Sequence, residues 1–311
     1  MPPVKAMTEG ERERALKKIL ATEKSDMTRT LIGASLGIMG LFIFMAVLDG
    51  IGSVDLPLEP IDYIIFAILA MLGPYGFYTS AREKRIKEIE TRLPDFLRDV
   101  AEAGRFGMTL ADAIVVASSG RYGRLTPEIK KMAAQIEWGV PASEAIRLFS
   151  ERVKTPLVTR MASIIMKAND AGGNVADVLT MVSHDAKETI LTQEERGVTM
   201  QTYVLVVYIA YFVFIATILI LQGQFLPKME AAGQQVSEQA AAAGVGEIPG
   251  VSIQVDIIPT ISFIFLLSVL VHAIGDGVLA GVIQKGSIPI GLRHSFIMLI
   301  AGFVSLRIIG G

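Results

Sequence analysis

The sequence predicts an all-α integral membrane protein, with about five transmembrane helices and a bundle of about six helices inserted between spans two and three. Three observations carry that expectation. Hydrophobic residues make up 51% of the 311-residue chain and charged residues only 19%, a balance typical of chains that live in a bilayer. Uncharged apolar runs recur at lengths near the roughly 20 residues that cross a hydrocarbon core of about 30 Å. The long polar stretch between two of these runs repeats its apolar residues at helical spacing, with no strand-like alternation.

The elements follow in chain order. Residues 1–30 are polar and of mixed charge, and no apolar run begins near residue 10 as it would in a cleavable signal peptide. Residues 31–48 and 63–79 are uncharged and give spans one and two, within a segment 31–80. Residues 81–199 form the inserted bundle. No charge falls between Arg196 and Lys228, and span three occupies 200–222 of that window. An outer loop, 223–256, is rich in Ala, Gln and Gly, and "MEAAGQQVSEQAAAA" within it has the composition of a short helix. Residues 257–311 hold spans four and five, the fifth being the short "HSFIMLIAGFVSLRII".

Flanking charge sets the expected orientation. Residues 1–30 carry seven Lys and Arg, and 81–199 carry eighteen. The loop 49–60 carries none, and 223–256 carries one. The N-terminus and the bundle are therefore expected on the cytoplasmic side of the plasma membrane, and 223–256 outside.

Within the bundle, Leu93, Phe96, Leu97 and Val100 recur at i, i+3, i+4 and i+7. Ile129, Met132, Ala133 and Ile136 do the same, as do Val175, Val178, Leu179 and Val182. Thr126–Pro127 and Thr155–Pro156 each read as a cap followed by a proline in the first helical turn. Thr109–Asp112 and Asn174–Asp177 read as relatives of the capping box. The segments "GMTLADAI", "GVPASEAI" and "GGNVADVL" repeat one pattern, with Gly107, Gly139 and Gly172 spaced 32 and 33 residues apart. That period suits stacked helix–turn–helix units. Gly172, Gly173, Asn174 and Asp177 thus mark a helix corner. An acid just after the turn would repel phosphate, which argues against a phosphate-binding loop there.

Several chemistries are excluded or unsupported. With no cysteine there is no disulfide, no thiolate nucleophile and no thiolate metal site. The three histidines, His184, His272 and His294, occur without an HExxH motif. A net charge of −2 offers no global field for nucleic acid. His184 stands beside Asp185, and adjacent helical residues do not share a face, so the two are no catalytic dyad. No cofactor, metal or catalytic site is expected, and the chain is not expected to be an enzyme.

Two sets of residues stand out as candidates. Arg121, Arg124, Lys130 and Lys131 crowd a Gly-containing turn with one acid among them, a surface suited to an acidic partner. Inside the membrane, His272 and Asp276 lie on one helical face and Arg307 lies in span five. Intramembrane charge is expensive and therefore a candidate for function. An Asp276–Arg307 pair between spans four and five would remove much of the cost. Gly33-x-x-x-Gly37 and Gly277-x-x-x-Gly281 allow close helix approach, within the chain or between copies. The basic run "SAREKRIKEIETR" fits contact with anionic membrane lipid.

The motifs "LPDFLRDVAEAGRFGMTLADAI" and "MKANDAGGNVADVLTMVSHDAKE" resemble the cytoplasmic domain of the F-type inner-membrane platform proteins of type II secretion and type IV pili. The stretch "GDGVLAGVIQKGSIPIGLRHSFIML" is similar to the end of the archaeal branch, the archaellum and archaeal-pilus platforms. The Gly-Glu-x-Ser-Gly form common in bacterial members is missing. One such domain is present where that branch often has two, and in this the chain resembles the shorter Tad-type members. The resemblance implies a non-enzymatic assembly platform. Its partners would be a hexameric cytoplasmic secretion ATPase, pilin- or archaellin-like subunits, and a second platform subunit in a homodimer or heteromer. The alternative reading is a transporter or channel built on His272, Asp276 and Arg307.

Overall fold

A computed structural model describes residues 27–52, 57–242 and 257–309, and every regular element among them is helical. The order is α1 (Met27–Gly50), α2 (Pro60–Glu90), α3 (Leu93–Arg105), α4 (Leu110–Ala117), α5 (Thr126–Glu137), α6 (Ala142–Val153), α7 (Pro156–Asp170) and α8 (Val175–Ile220). A π turn at Leu221–Phe225 leads into α9 (Leu226–Ala242), and α10 (Ile258–Lys285) and α11 (Ile288–Ile309) follow. Five stretches are long and apolar enough to cross a membrane: Thr30–Gly50, Pro60–Arg105, Val175–Val236, Ile258–Lys285 and Ile288–Arg307.

The start of one element differs from the sequence-based expectation. The fifth membrane helix starts at Ile288, six residues before His294. Pro289 occupies its first turn, where a missing N–H costs nothing, so the proline does not delay the helix. The short helix expected within "MEAAGQQVSEQAAAA" is present and begins three residues earlier, running from Leu226 to Ala242, because the chain continues out of α8 without a break. Its Ala, Gln and Glu content favours that continuation. Residues 1–26 and 243–256, including the rest of the outer loop, lie outside the described residues.

The chain divides into two compact units. One is built on Ala81–Arg196, the other on Asp26–Ser80 with Gly197–Gly311. In the first, α3, α5 and α8 turn their apolar stripes inward. Leu93, Phe96, Leu97 and Val100 are buried, with Ile129 and Met132 and with Leu179, Val182, Ala186 and Ile190. Each of these side chains except the small Ala186 contributes roughly 1.5–3 kcal/mol by leaving water. A buried hydroxyl, Ser183 Oγ, donates to the Pro94 carbonyl at 2.8 Å and pins α8 to the start of α3.

The three repeated corners share one backbone device. Gly107, Gly139 and Gly172 have φ of 84°, 90° and 65°, values that a side chain disfavours. Each lets one helix stop and the next leave at an angle. Thr109 then caps α4: its Oγ1 accepts from Asp112 N at 3.2 Å and donates to Asp112 Oδ2 at 2.6 Å. At the third corner Asn174 Nδ2 donates to Asp177 Oδ2 at 2.6 Å. Glu144, the acid of the second repeat, is held below the usual carboxylate range by a hydrogen bond from Arg147. Thr155 caps α7 as expected, accepting from Val158 N at 3.2 Å. Thr126 does not cap α5. A 3-10 turn at Gly123–Leu125 runs straight into that helix, and Thr126 Oγ1 accepts instead from Tyr122 N at 2.8 Å.

In the second unit, glycines set the helix crossings. A Cβ on Gly277 would lie 2.2 Å from Ser295 N, and one on Gly281 would lie 2.1 Å from Gly291 N. The Gly277/Gly281 motif is therefore spent inside the chain, on backbone contact between α10 and α11. A Cβ on Gly76 would meet Arg293 N at 2.7 Å, so α2 also packs closely on α11. Gly33 and Gly37 of α1 have nothing within 4 Å of such a Cβ. Tyr211 is fully buried among these helices and donates to the Met298 carbonyl at 2.7 Å.

Candidate functional site

The basic corner grows from the turn between α4 and α5. Tyr122 anchors it: its ring is buried edge-on against Phe96, and its hydroxyl donates to Asp99 Oδ2 at 2.6 Å. Burial and the neighbouring Asp99 push the phenol's pKa well above its ordinary value, so it stays a donor. A side chain at Gly120 would collide with that hydroxyl. Removing it with Tyr122→Phe leaves Asp99 short of a donor. The expected cost is about 1.5–3 kcal/mol, read as a lower unfolding temperature.

This anchor presents the four cations unequally. Arg124 is paired with Glu88. Lys131 lies 3.3 Å from Glu128, and Glu128 also accepts from the largely buried Arg152 at 2.9 Å. Arg121 and Lys130 are both exposed, and among the described residues neither has an ion-pair partner. Local carboxylates thus absorb half of the positive charge that the sequence pattern suggests. The remaining charge sits on Arg121 and Lys130.

His184 is exposed, and its neighbour Asp185 pairs with Arg160 at 3.1 Å.

The intramembrane charges do not meet as expected. Arg307 is not paired with Asp276. It pairs with Asp62, whose side chain is 1% exposed, and lies 3.4 Å from Glu59. The reason is depth: Arg307 ends α11 beside the beginnings of α2 and α10, whereas Asp276 lies far along α10. These charges line a cavity of about 340 Å³ with Gln222, Phe263 and Leu306. The π turn after α8 supplies Gln222, and such turns recur at functional positions. His272 Nδ1 lies instead 3.4 Å from Asp276 Oδ2, with the Phe214 ring centred 4.2 Å from the imidazole. At ~1.5 Å per residue, His272 is about 15 Å along α10 from Ser262 at the Arg307 cavity. The three residues therefore form two places, and a single transport site made of all three is not present.

One polar network escaped the sequence reading. His294 is buried, and its Nδ1 lies 2.8 Å from the Tyr208 hydroxyl and its Nε2 3.3 Å from Gln284 Oε1. A lone histidine in an apolar run signals such a cluster only once its helix neighbours are known. Among the described residues no group of three or more His, Asp or Glu is placed to hold a metal ion.

Residues 96–223 match the family described as type II secretion system (T2SS), protein F. An uncharacterized protein of Methanocaldococcus jannaschii is 30% identical over 252 residues, 80% of this chain and 39% of that protein. The flagella accessory protein J of the same organism is 24% identical over 157 residues, 49% of this chain and 28% of that protein. The chain spans less than half the length of either relative. No solved structure matches it.

Proposed function

From the type II secretion protein F domain that residues 96–223 carry, we propose that the chain is the membrane assembly platform of a type IV pilus-like, archaellum-like or secretion machine. It works as a scaffold and not as an enzyme. The observation that carries this reading is that the match, residues 96–223, covers most of the helical unit Ala81–Arg196 and continues through membrane span three. Similarity to a flagella accessory protein points to the same class of machine.

In this reading the bundle faces the cytoplasm, where a hexameric secretion ATPase engages it. The chain has no GxxxxGK[ST] motif of its own, so the energy is supplied by that partner. The corner bearing Arg121 and Lys130 meets an acidic face of the ATPase, and charge complementarity orients the encounter. Two long helices, α2 and α8, each contribute residues to both units, which gives motor work a route toward the spans. The spans then admit pilin- or archaellin-like subunits one at a time.

A detergent pull-down with the full chain as bait tests this reading. The wild type should recover a secretion-type ATPase, and Arg121→Glu/Lys130→Glu should lose it. Reversing Arg124 and Lys131 instead should have the smaller effect, because both are already paired. Equal recovery by all variants would remove the basic corner from the interface. Recovery of no ATPase, even after cross-linking, would count against the platform itself.

A further inference from the structure

The cavity beside Arg307 is built like a ligand site. Its volume of about 340 Å³ falls in the range of small-molecule pockets. Glu59 and Asp62 stand at the start of α2, Ser262 and Phe263 in the first turns of α10, Arg307 in the last turn of α11 and Gln222 in the π turn. Because α2 and α10 begin here and α11 ends here, the cavity lies at the level where the apolar core gives way to lipid headgroups.

Its charged groups are unequally used. Asp62, 1% exposed, accepts from Arg307 and from the Glu59 backbone N–H at 3.3 Å. The guanidinium thereby answers its charge. Glu59 is a second carboxylate on the same guanidinium, 3.4 Å away and 66% exposed. Two carboxylates against one cation leave one negative charge in excess, and the open position is that of Glu59. The Gln222 amide and the Ser262 hydroxyl also line the cavity, and among the described residues neither side chain makes a hydrogen bond. Phe263, 52% exposed, supplies an apolar wall beside them.

We infer that this cavity holds the headgroup of a lipid that bears a primary ammonium, such as an ethanolamine phospholipid. A primary ammonium has three N–H donors and one positive charge. The cavity offers it the Glu59 carboxylate, the Gln222 carbonyl oxygen and the Ser262 hydroxyl as acceptors, and a charge of the opposite sign. The headgroup phosphate meets Arg307, whose side chain is 43% exposed. The acyl chains leave along Phe263. A quaternary ammonium is bulkier and has no N–H to donate, and an anionic headgroup is repelled by the excess charge. A lipid fits better than a soluble amine, because the polar groups share the cavity with an apolar wall that is itself exposed at the end of the spans. The inference does not use the platform reading.

Native mass spectrometry of the full chain in detergent, with lipids added in equal amounts, tests it. Phosphatidylethanolamine should bind about tenfold more tightly than phosphatidylcholine or phosphatidylglycerol. Glu59→Gln should remove that preference, and Gln222→Leu should weaken phosphatidylethanolamine binding about fivefold. Glu59 is largely exposed, so its replacement leaves the fold intact. Asp276→Asn removes a carboxylate about 21 Å along α10 from Ser262 and should change nothing. Free ethanolamine at the same concentration should not displace the lipid. Equal binding of the three lipids, an unchanged preference in Glu59→Gln, or the same loss in Asp276→Asn would each overturn the inference. Displacement by free ethanolamine would overturn the lipid assignment in favour of a soluble amine.

Discussion

Replacing Gly281 by valine abolishes the packing of α10 on α11. The new Cβ would stand 2.1 Å from Gly291 N and 2.2 Å from Gly291 Cα, both backbone atoms of the facing helix. No side chain can swing away to relieve that contact, so the two helices must separate. Overpacking of this kind costs about 3 kcal/mol or more. The expected readout is loss of monodisperse protein on size exclusion, or a sharply lower melting temperature in detergent. Gly33→Val is the matched control. Gly33 has nothing within 4 Å, and its replacement should stay within about 0.5 kcal/mol of wild type. Equal loss in both variants would show that valine harms these helices for reasons other than the crossing.

Arg307→Leu should be the second most damaging change. It removes the cation paired with Asp62, a carboxylate whose side chain is 1% exposed. Breaking a buried pair from one side costs roughly 3–5 kcal/mol, most of it the desolvation of the charge left behind. Asp62→Asn/Arg307→Leu should recover much of the loss, because it leaves no uncompensated charge. Glu59→Gln should cost no more than about 1 kcal/mol, since Glu59 is largely exposed and lies 3.4 Å from the guanidinium. Thermal unfolding of the single and double variants, compared as a cycle, gives the coupling. Additive losses would mean that Asp62 does not depend on Arg307.

Much of the fold was legible because its signals are local. A run of apolar residues long enough for a bilayer can be counted. A glycine followed by a cap residue and an acid marks a helix corner, and the φ of 84°, 90° and 65° at Gly107, Gly139 and Gly172 are the backbone form of that pattern. The helix α9 was legible too, from the Ala- and Gln-rich run that begins at Met229, three residues inside its observed start. Thr126 misled because a 3-10 turn ahead of α5 took the place that the Thr-Pro pattern assigns to a cap.

The candidate sites were legible as residues but not as partnerships. The cations at 121, 124, 130 and 131 form a visible cluster, yet Glu88 and Glu128 decide which of them remain free. Glu88 is 36 residues from Arg124 in the chain, beyond the reach of any spacing rule. Arg307 is visible as a charge in an apolar run, but Asp62 lies 245 residues away.

The sequence by itself determined that this chain is helical, that it crosses a membrane several times and that a helical unit interrupts the spans. Those properties follow from hydropathy, periodicity and the backbone needs of glycine, all of which act over a few residues. Only the tertiary structure decided that Gly277 and Gly281 serve α11 and that Arg307 neutralises Asp62 while His272 and Asp276 face outward. Helix crossings bring such groups together from distant parts of the chain, and the energy of a buried charge depends on what the crossing places beside it.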